Sequence, residues 1–244
     1  MISKYLLFLL LFPLSVNVCF SSEESDKSTL NNKQTEEQKT IVSVNDPKEM
    51  ASLNSSFERY KKASIDKDGE TLATLITQES TEYYKLQQDR ALHLEFDALN
   101  ELSVIDLMHV LVFRLASTPE ELKKMPIEDL LAIAIHQRLI GGEVDKRSVM
   151  GEIEIKNDYA VTKQMKGSYV VNDIGWKKID NTWHIDSLHF VKMMESDMMD
   201  LHALQDKEAA KGKTIPTMLE TAYAIVEVAT GIKIEPKHLK PLIN

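Results

Sequence analysis

The amino-acid sequence predicts an α+β fold: a helical N-terminal half packed in a curved antiparallel sheet of four strands, followed by C-terminal helices. Three observations predict it. Apolar residues recur at helical spacing between about Ser52 and Ile140. From Ser148 to Asp186 the pattern changes to strand alternation punctuated by turn pairs. After Phe190 the helical spacing returns.

The chain opens with MISKYLLFLLLFPLSVNVCFSS, in which Lys4 precedes an apolar run from Tyr5 to Leu14 broken only by Pro13. A cation, a short apolar run and then small or polar residues read as a signal peptide over residues 1–21, with cleavage near Ser21. The run is shorter than the about 20 apolar residues that a membrane span needs, so no transmembrane span is expected in the mature chain. Lipid anchoring at Cys19 is the lesser alternative, because Val16, Asn17 and Val18 fit a lipoprotein cleavage site poorly. Export to a periplasmic or secreted location follows. Residues 22–50 are polar and read as a disordered tether, with a short apolar patch at Ile41 to Val44.

The first helix begins near Ser52, where Leu53, Phe57, Tyr60 and Ser64 share a stripe, and Asp66-Lys67-Asp68-Gly69 ends it in a turn. A calcium loop is excluded there, since Thr77 stands where the twelfth-position Glu is needed. Leu72, Leu75 and Ile76 mark a short second helix, and Glu79 to about Leu94 a third, with Tyr83, Leu86 and Arg90 on one line. Ser103 caps an apolar helix running to Ala116, Thr118-Pro119-Glu120-Glu121 starts the next, and Ile127 to Ile140 is a further helix that Gly141-Gly142 ends. The strands then follow. Ile153 and Ile155 alternate with Glu152 and Glu154, Asn157-Asp158 and Asp180-Asn181 close hairpins, and a longer connection is expected from Gly167 to Asp173. Lys192 to Lys211 is a polar, Met-rich helix. Lys213 to Gly231 is an amphipathic one, with Ile215, Leu219, Ala222, Val226 and Ala229 on its stripe. The domain organisation is therefore 51–190 for the folded domain and 191–244 for a helical extension.

The 244 residues carry a net charge of −9 and a single cysteine. The acidic balance argues against nucleic acid as a partner, because phosphate contacts need clustered Lys and Arg. One cysteine excludes a disulfide framework. No G-x-S-x-G, G-x-G-x-x-G, P-loop or H-E-x-x-H motif occurs, so no cofactor is implied.

Three sets of side chains carry candidate chemistry. Asp106 and His109 lie at i and i+3 on one helix face, where a carboxylate can orient an imidazole for acid/base work. On the last strand Trp183 and Ile185 face the core and His184 and Asp186 the solvated or dimer side, while His189 shares the parity of Trp183 and is the third acid/base candidate. Met194, Met198 and His202 share a helix face as soft-metal candidates, weaker than an apolar contact surface of methionines. Asn54-Ser55-Ser56 is a glycosylation sequon.

The opening stretch SFERYKKASIDKDGETLATLITQESTEYY and the hairpin GWKKIDNTWHIDS resemble the NTF2-like (SnoaL-like) superfamily over roughly residues 51–190. The resemblance implies a cone in which a bent sheet wraps around helices, with Tyr83, Tyr84, Trp176 and Trp183 lining its pocket. It implies either a non-catalytic module that binds a small hydrophobic ligand or a protein partner, including a homodimer through the sheet, or a cofactor-independent isomerase, hydratase or hydrolase. No catalytic signature of the family carries over residue by residue. The helices between Leu92 and Ile140 and those after Phe190 exceed what a compact member contains.

Overall fold

The computed structural model describes residues 46–140, 144–212, 214 and 216–243. The signal peptide, Cys19, nearly all of the tether, Gly141-Gly142 and Ile215 lie outside the described residues.

The helical half comprises α1 (Pro47–Asp66), α2 (Gly69–Leu75), α3 (Gln78–His93), α4 (Phe96–Leu99), α5 (Val104–Ala116), α6 (Pro119–Lys124) and α7 (Ile127–His136). Helix α1 begins inside the stretch read as tether, because Asp46 accepts from the Lys48 amide and Pro47 occupies the first turn. Thr77, Ser103 and Thr118 cap α3, α5 and α6, Thr118 within a full capping box with Glu121. Helix α7 ends at His136, before the predicted glycines. The Leu139 amide reaches the Ala134 carbonyl at 2.7 Å and the Arg138 amide the Ile135 carbonyl at 2.9 Å, a Schellman closure with Arg138 left-handed at φ 61°. Leu139 and Ile140 fold back into the core beyond it.

Strands β1 (Ser148–Lys156), β2 (Tyr159–Lys166), β3 (Tyr169–Ile179) and β4 (Thr182–Asp186) form one antiparallel sheet in the order β1-β2-β3-β4. The β2–β3 connection is a tight turn at Gly167-Ser168, with Gly167 at φ 65°, and not the longer link expected from the sequence. Asp180 and Asn181 both take positive φ, as a two-residue hairpin requires. Ile155, Ala160, Trp176 and Ile185 are successive cross-strand partners and all are buried, so one row of the sheet forms the floor of the core. Leu53, Phe57 and Tyr60 of α1 are fully buried in that core. Thr77 joins the two halves: its amide donates to the Ile185 carbonyl at 2.9 Å, and the Ser187 amide donates to the hydroxyl of Ser80, the residue whose amide Thr77 caps, at 3.0 Å.

Helix α8 (Ser187–Ala209) leaves β4 directly, and α9 (Met218–Thr230) follows between a Thr217–Glu220 capping box and a left-handed Gly231. A 3₁₀ turn spans Pro236–Leu239. The apolar face of α9 lies on α5, with Ala222 and Val226 fully buried, whereas Ala229 is exposed. The C-terminal extension thus belongs to the same core. No described helix is long and apolar enough to cross a membrane.

Helices α2 and α7 touch backbone to backbone. A Cβ on Gly69 would overlap the Glu128 carbonyl. Gly69→Ala should therefore lower unfolding free energy in urea by about 1–3 kcal/mol, the usual cost of overpacking. A change of only a few tenths would contradict the close α2–α7 approach.

Candidate functional site

Helix α3 carries Tyr83, Gln87 and Arg90 at i, i+4 and i+7, so they project from one face. That face meets the first two turns of α5, which present Asp106 and His109. Asp106 Oδ1 accepts from the Tyr83 hydroxyl at 2.9 Å and from Gln87 Nε2 at 2.8 Å, and Oδ2 accepts from Arg90 Nη1 at 2.7 Å. Ser103 accepts from the Asp106 amide at 3.1 Å, which fixes the start of the helix beneath this carboxylate. His109 is 1 % exposed. Its Nδ1 lies 2.7 Å from the Ile105 carbonyl and 3.3 Å from the Tyr83 oxygen, so Nδ1 carries the proton and Nε2 is the bare nitrogen, buried without a partner. The Tyr83 and Tyr84 rings pack on the imidazole with centroids 5.4 and 5.6 Å away.

Electrostatics follow from this burial. Desolvation lowers the His109 pKa to about 4, so the ring is neutral at ordinary pH. Burial, followed by the Asp106 charge, pushes the Tyr83 hydroxyl far above its ordinary value. The arrangement is a clasp between α3 and α5. Both carboxylate oxygens hold protein donors, and the imidazole is enclosed by aromatic rings. A general base needs a lone pair within reach of a substrate proton, and this geometry directs those of Asp106 inward to α3.

The structure thus brings three of the predicted residues, Tyr83, Asp106 and His109, into one network. Tyr84 is fully buried and donates to the Leu139 carbonyl at 3.3 Å. Trp176 and Trp183 are core side chains with no exposed surface. Trp176 Nε1 donates to Thr162 at 2.9 Å and its ring meets Tyr60 edge-on at 6.4 Å.

His189 lies elsewhere. Helix α8 begins at Ser187, so strand alternation no longer governs position 189, and the ring covers the sheet face opposite Trp183. There His189 Nδ1 is 3.1 Å from the Tyr159 hydroxyl, which also lies 3.4 Å from Asp186 Oδ2. Gly175 makes room, since a Cβ there would overlap both His189 and Tyr159. Desolvation lowers the His189 pKa, opposed by Asp173 and Asp186. Met198 is 7 % exposed in the core and Met194 packs against it, while His202 faces Asp206 at 3.4 Å. Among the described residues no group of three or more His, Cys, Asp or Glu is placed to hold a metal ion.

Gln87 and Arg114 are buried polar residues that the sequence reading did not single out. Gln87 is fully buried within the clasp. Arg114 is 4 % exposed and donates to the Ala91, Leu94 and Arg90 carbonyls at 2.8, 2.6 and 3.4 Å and to the His238 carbonyl at 3.4 Å. It closes the C-terminal end of α3, where unpaired carbonyls attract a cation, and burial lowers its pKa to about 10. The Leu242 and Ile243 amides complete that end at the Leu92 carbonyl, at 2.9 and 3.1 Å. The signal for both was a polar side chain in phase with a buried helical face.

Compared with family models, with curated proteins and with solved structures, the chain matches none.

A histidine held neutral near pKa 4 against 6.5 when unfolded makes the unfolded state bind the extra proton first. Stability should fall as pH drops from about 6.5 to 4, by on the order of 3 kcal/mol from this group. His109→Leu should flatten that segment of a urea-denaturation pH profile. An unchanged slope in the variant would show that His109 is not buried neutral.

Proposed function

We propose that the chain is an exported, non-catalytic assembly module of NTF2-like type that works through the outer face of its sheet. The observation that carries this reading is the clasp: Asp106 and His109 sit between two helices, Asp106 bonded to Tyr83, Gln87 and Arg90, and three of the aromatic side chains that would line a cone, Tyr84, Trp176 and Trp183, are fully buried core. The opening helices over one face of a four-stranded meander support the NTF2-like architecture. The leader at residues 1–21 supports export.

A surface for assembly lies on the opposite sheet face. Val149, Met165 and Val170 are cross-strand neighbours on three adjacent strands, and Val149 is 48 % exposed. Paired residues share a face, so this is an apolar row, exposed at Val149 and half-buried at Met165 and Val170. A second copy of the chain is its simplest partner, since a two-fold axis doubles the same row. The alternative, a cofactor-independent acid/base enzyme, rests on the half-buried Tyr159–His189–Asp186 group.

Native mass spectrometry of the mature protein should give a chain beginning near Ser22, present as a dimer at micromolar concentration. Val149→Lys should weaken that dimer about tenfold or more, equivalent to about 1.4 kcal/mol. A wild-type monomer, or a dimer indifferent to Val149→Lys, would contradict the sheet-face reading. Loss of a turnover activity in His189→Ala, with the fold intact, would favour the enzyme.

A further inference from the structure

Away from the clasp, one titratable ring is held where α8 starts. Helix α8 leaves β4 at Ser187 and crosses β3, and His189 in its first turn lies on Gly175, where a Cβ would overlap both the His189 side chain and the Tyr159 hydroxyl. The Tyr159 oxygen is 3.1 Å from His189 Nδ1 and 3.4 Å from Asp186 Oδ2. A carboxylate only accepts, so Tyr159 donates to Asp186 and the Nδ1 N–H donates to Tyr159. A second proton then enters the ring at Nε2, which has no hydrogen-bond partner among the described residues.

The surroundings disfavour that proton. The ring is half-buried, so its cation gives up hydration. A cation in the first turn opposes the positive end of a 23-residue helix. Lys192, at i+3, shares its helix face, and Lys163 adds a second positive charge from β2. Two carboxylates work the other way, Asp173 on β3 and Asp186 on β4. Asp173 is shared with Lys163 at 2.7 Å, and Asp186 is engaged by Tyr159 and by the Leu188 amide at 3.2 Å. Lys177, also on β3, is bound to Glu79. Desolvation is the largest of these effects, and it holds the docked ring below the ordinary 6.5.

The rest of the turn is held by neutral contacts, the Ser187 amide on Ser80 and the buried Val191 side chain. His189 is thus the part of this docking that changes charge between neutral and mildly acid pH. In a loosened turn the ring is hydrated and has its ordinary value of 6.5, while in the docked turn it binds a proton less readily. The docked turn is therefore fully favoured above about 6.5 and loses stability as pH falls toward the lower, docked value.

We propose that His189 is an acid-operated latch: a proton taken up at Nε2 loosens the first turn of α8 from β3 and Tyr159 while the clasp between α3 and α5 stays closed. Gly175 makes the latch tight, because only a residue without a Cβ lets the imidazole and the Tyr159 hydroxyl lie on the strand together. The latch needs neither a dimer nor a substrate, so it stands or falls apart from both functional readings.

Amide hydrogen exchange on the full mature chain between pH 7.5 and 5.5, with the His189 ring followed by NMR, tests the latch. The ring should titrate below 6.5. Exchange at residues 188–192, corrected for the intrinsic effect of pH, should be faster than in α5 throughout and should speed up by about threefold or more on acidification. That range lies above the His109 value of about 4, so the clasp contributes little to the change. His189→Gln should abolish the acceleration. Asp173→Asn removes a carboxylate that favours the imidazolium and frees Lys163, so it should carry the His189 midpoint lower still. A midpoint at or above 6.5, exchange at 188–192 no faster than in α5, an acceleration that survives His189→Gln, or a midpoint raised by Asp173→Asn would each overturn the proposal.

Discussion

Helix α5 is the element on which the rest of the structure depends, because it is almost wholly removed from water. Val104, Ile105 and every residue from Leu107 to Arg114 are buried, with α3, α7, α8, α9 and the 3₁₀ turn packed around them. A helix apolar all round stabilises a fold through area withdrawn from water, but each polar group it takes inside needs a partner. Three such groups are present. Asp106 is met by Tyr83, Gln87 and Arg90, His109 by the Ile105 carbonyl, and Arg114 by the carbonyls ending α3. All but the Ile105 bond tie α5 to α3. Burying α5 thus fixes the register and approach of α3, and through the Thr77 and Ser80 contacts the position of β4 and the sheet.

The same constraint explains the C-terminal extension. Without α9 the outer side of α5, including the surface covered by Ala222 and Val226, would face water. Without the Leu242 and Ile243 amides and the His238 carbonyl, the end of α3 and the Arg114 guanidinium would lose partners. The last quarter of the chain is therefore part of the same core as the N-terminal helices, and the amphipathic face of α9 is satisfied within the molecule.

Much of the fold was legible because local chemistry and tertiary structure agree. Ser103 and Thr118 cap helices, and Asn157-Asp158 and Asp180-Asn181 turn strands, at the residues whose side chains favour those conformations. The failures lie where long-range contacts override local preference. Arg138 takes the left-handed turn that glycines beyond it were expected to take, because Leu139 and Ile140 gain burial by folding back early. The β2–β3 hairpin is tighter than its sequence suggested, with the strand continuing through Asn172 and Asp173. At the candidate site, spacing showed that Asp106 and His109 share a face and that Tyr83 and Arg90 align, but no local rule shows that the two faces meet. Gln87 and Arg114 were passed over because a polar residue on a helix is ordinarily solvated, and only the crossing of α3 and α5 buries them.

The account turns on the Asp106 network being a structural clasp. A double-mutant cycle on Arg90→Ala and Asp106→Ala, read as unfolding free energy, measures it most directly. Half-buried and hydrogen-bonded on both oxygens, the pair should show a coupling of about 1–3 kcal/mol, with each single variant destabilised and the double variant less so than their sum. A coupling near zero, with both variants as stable as the wild-type chain, would mean that Asp106 is not holding α3 to α5, and would return it to the list of groups available for chemistry.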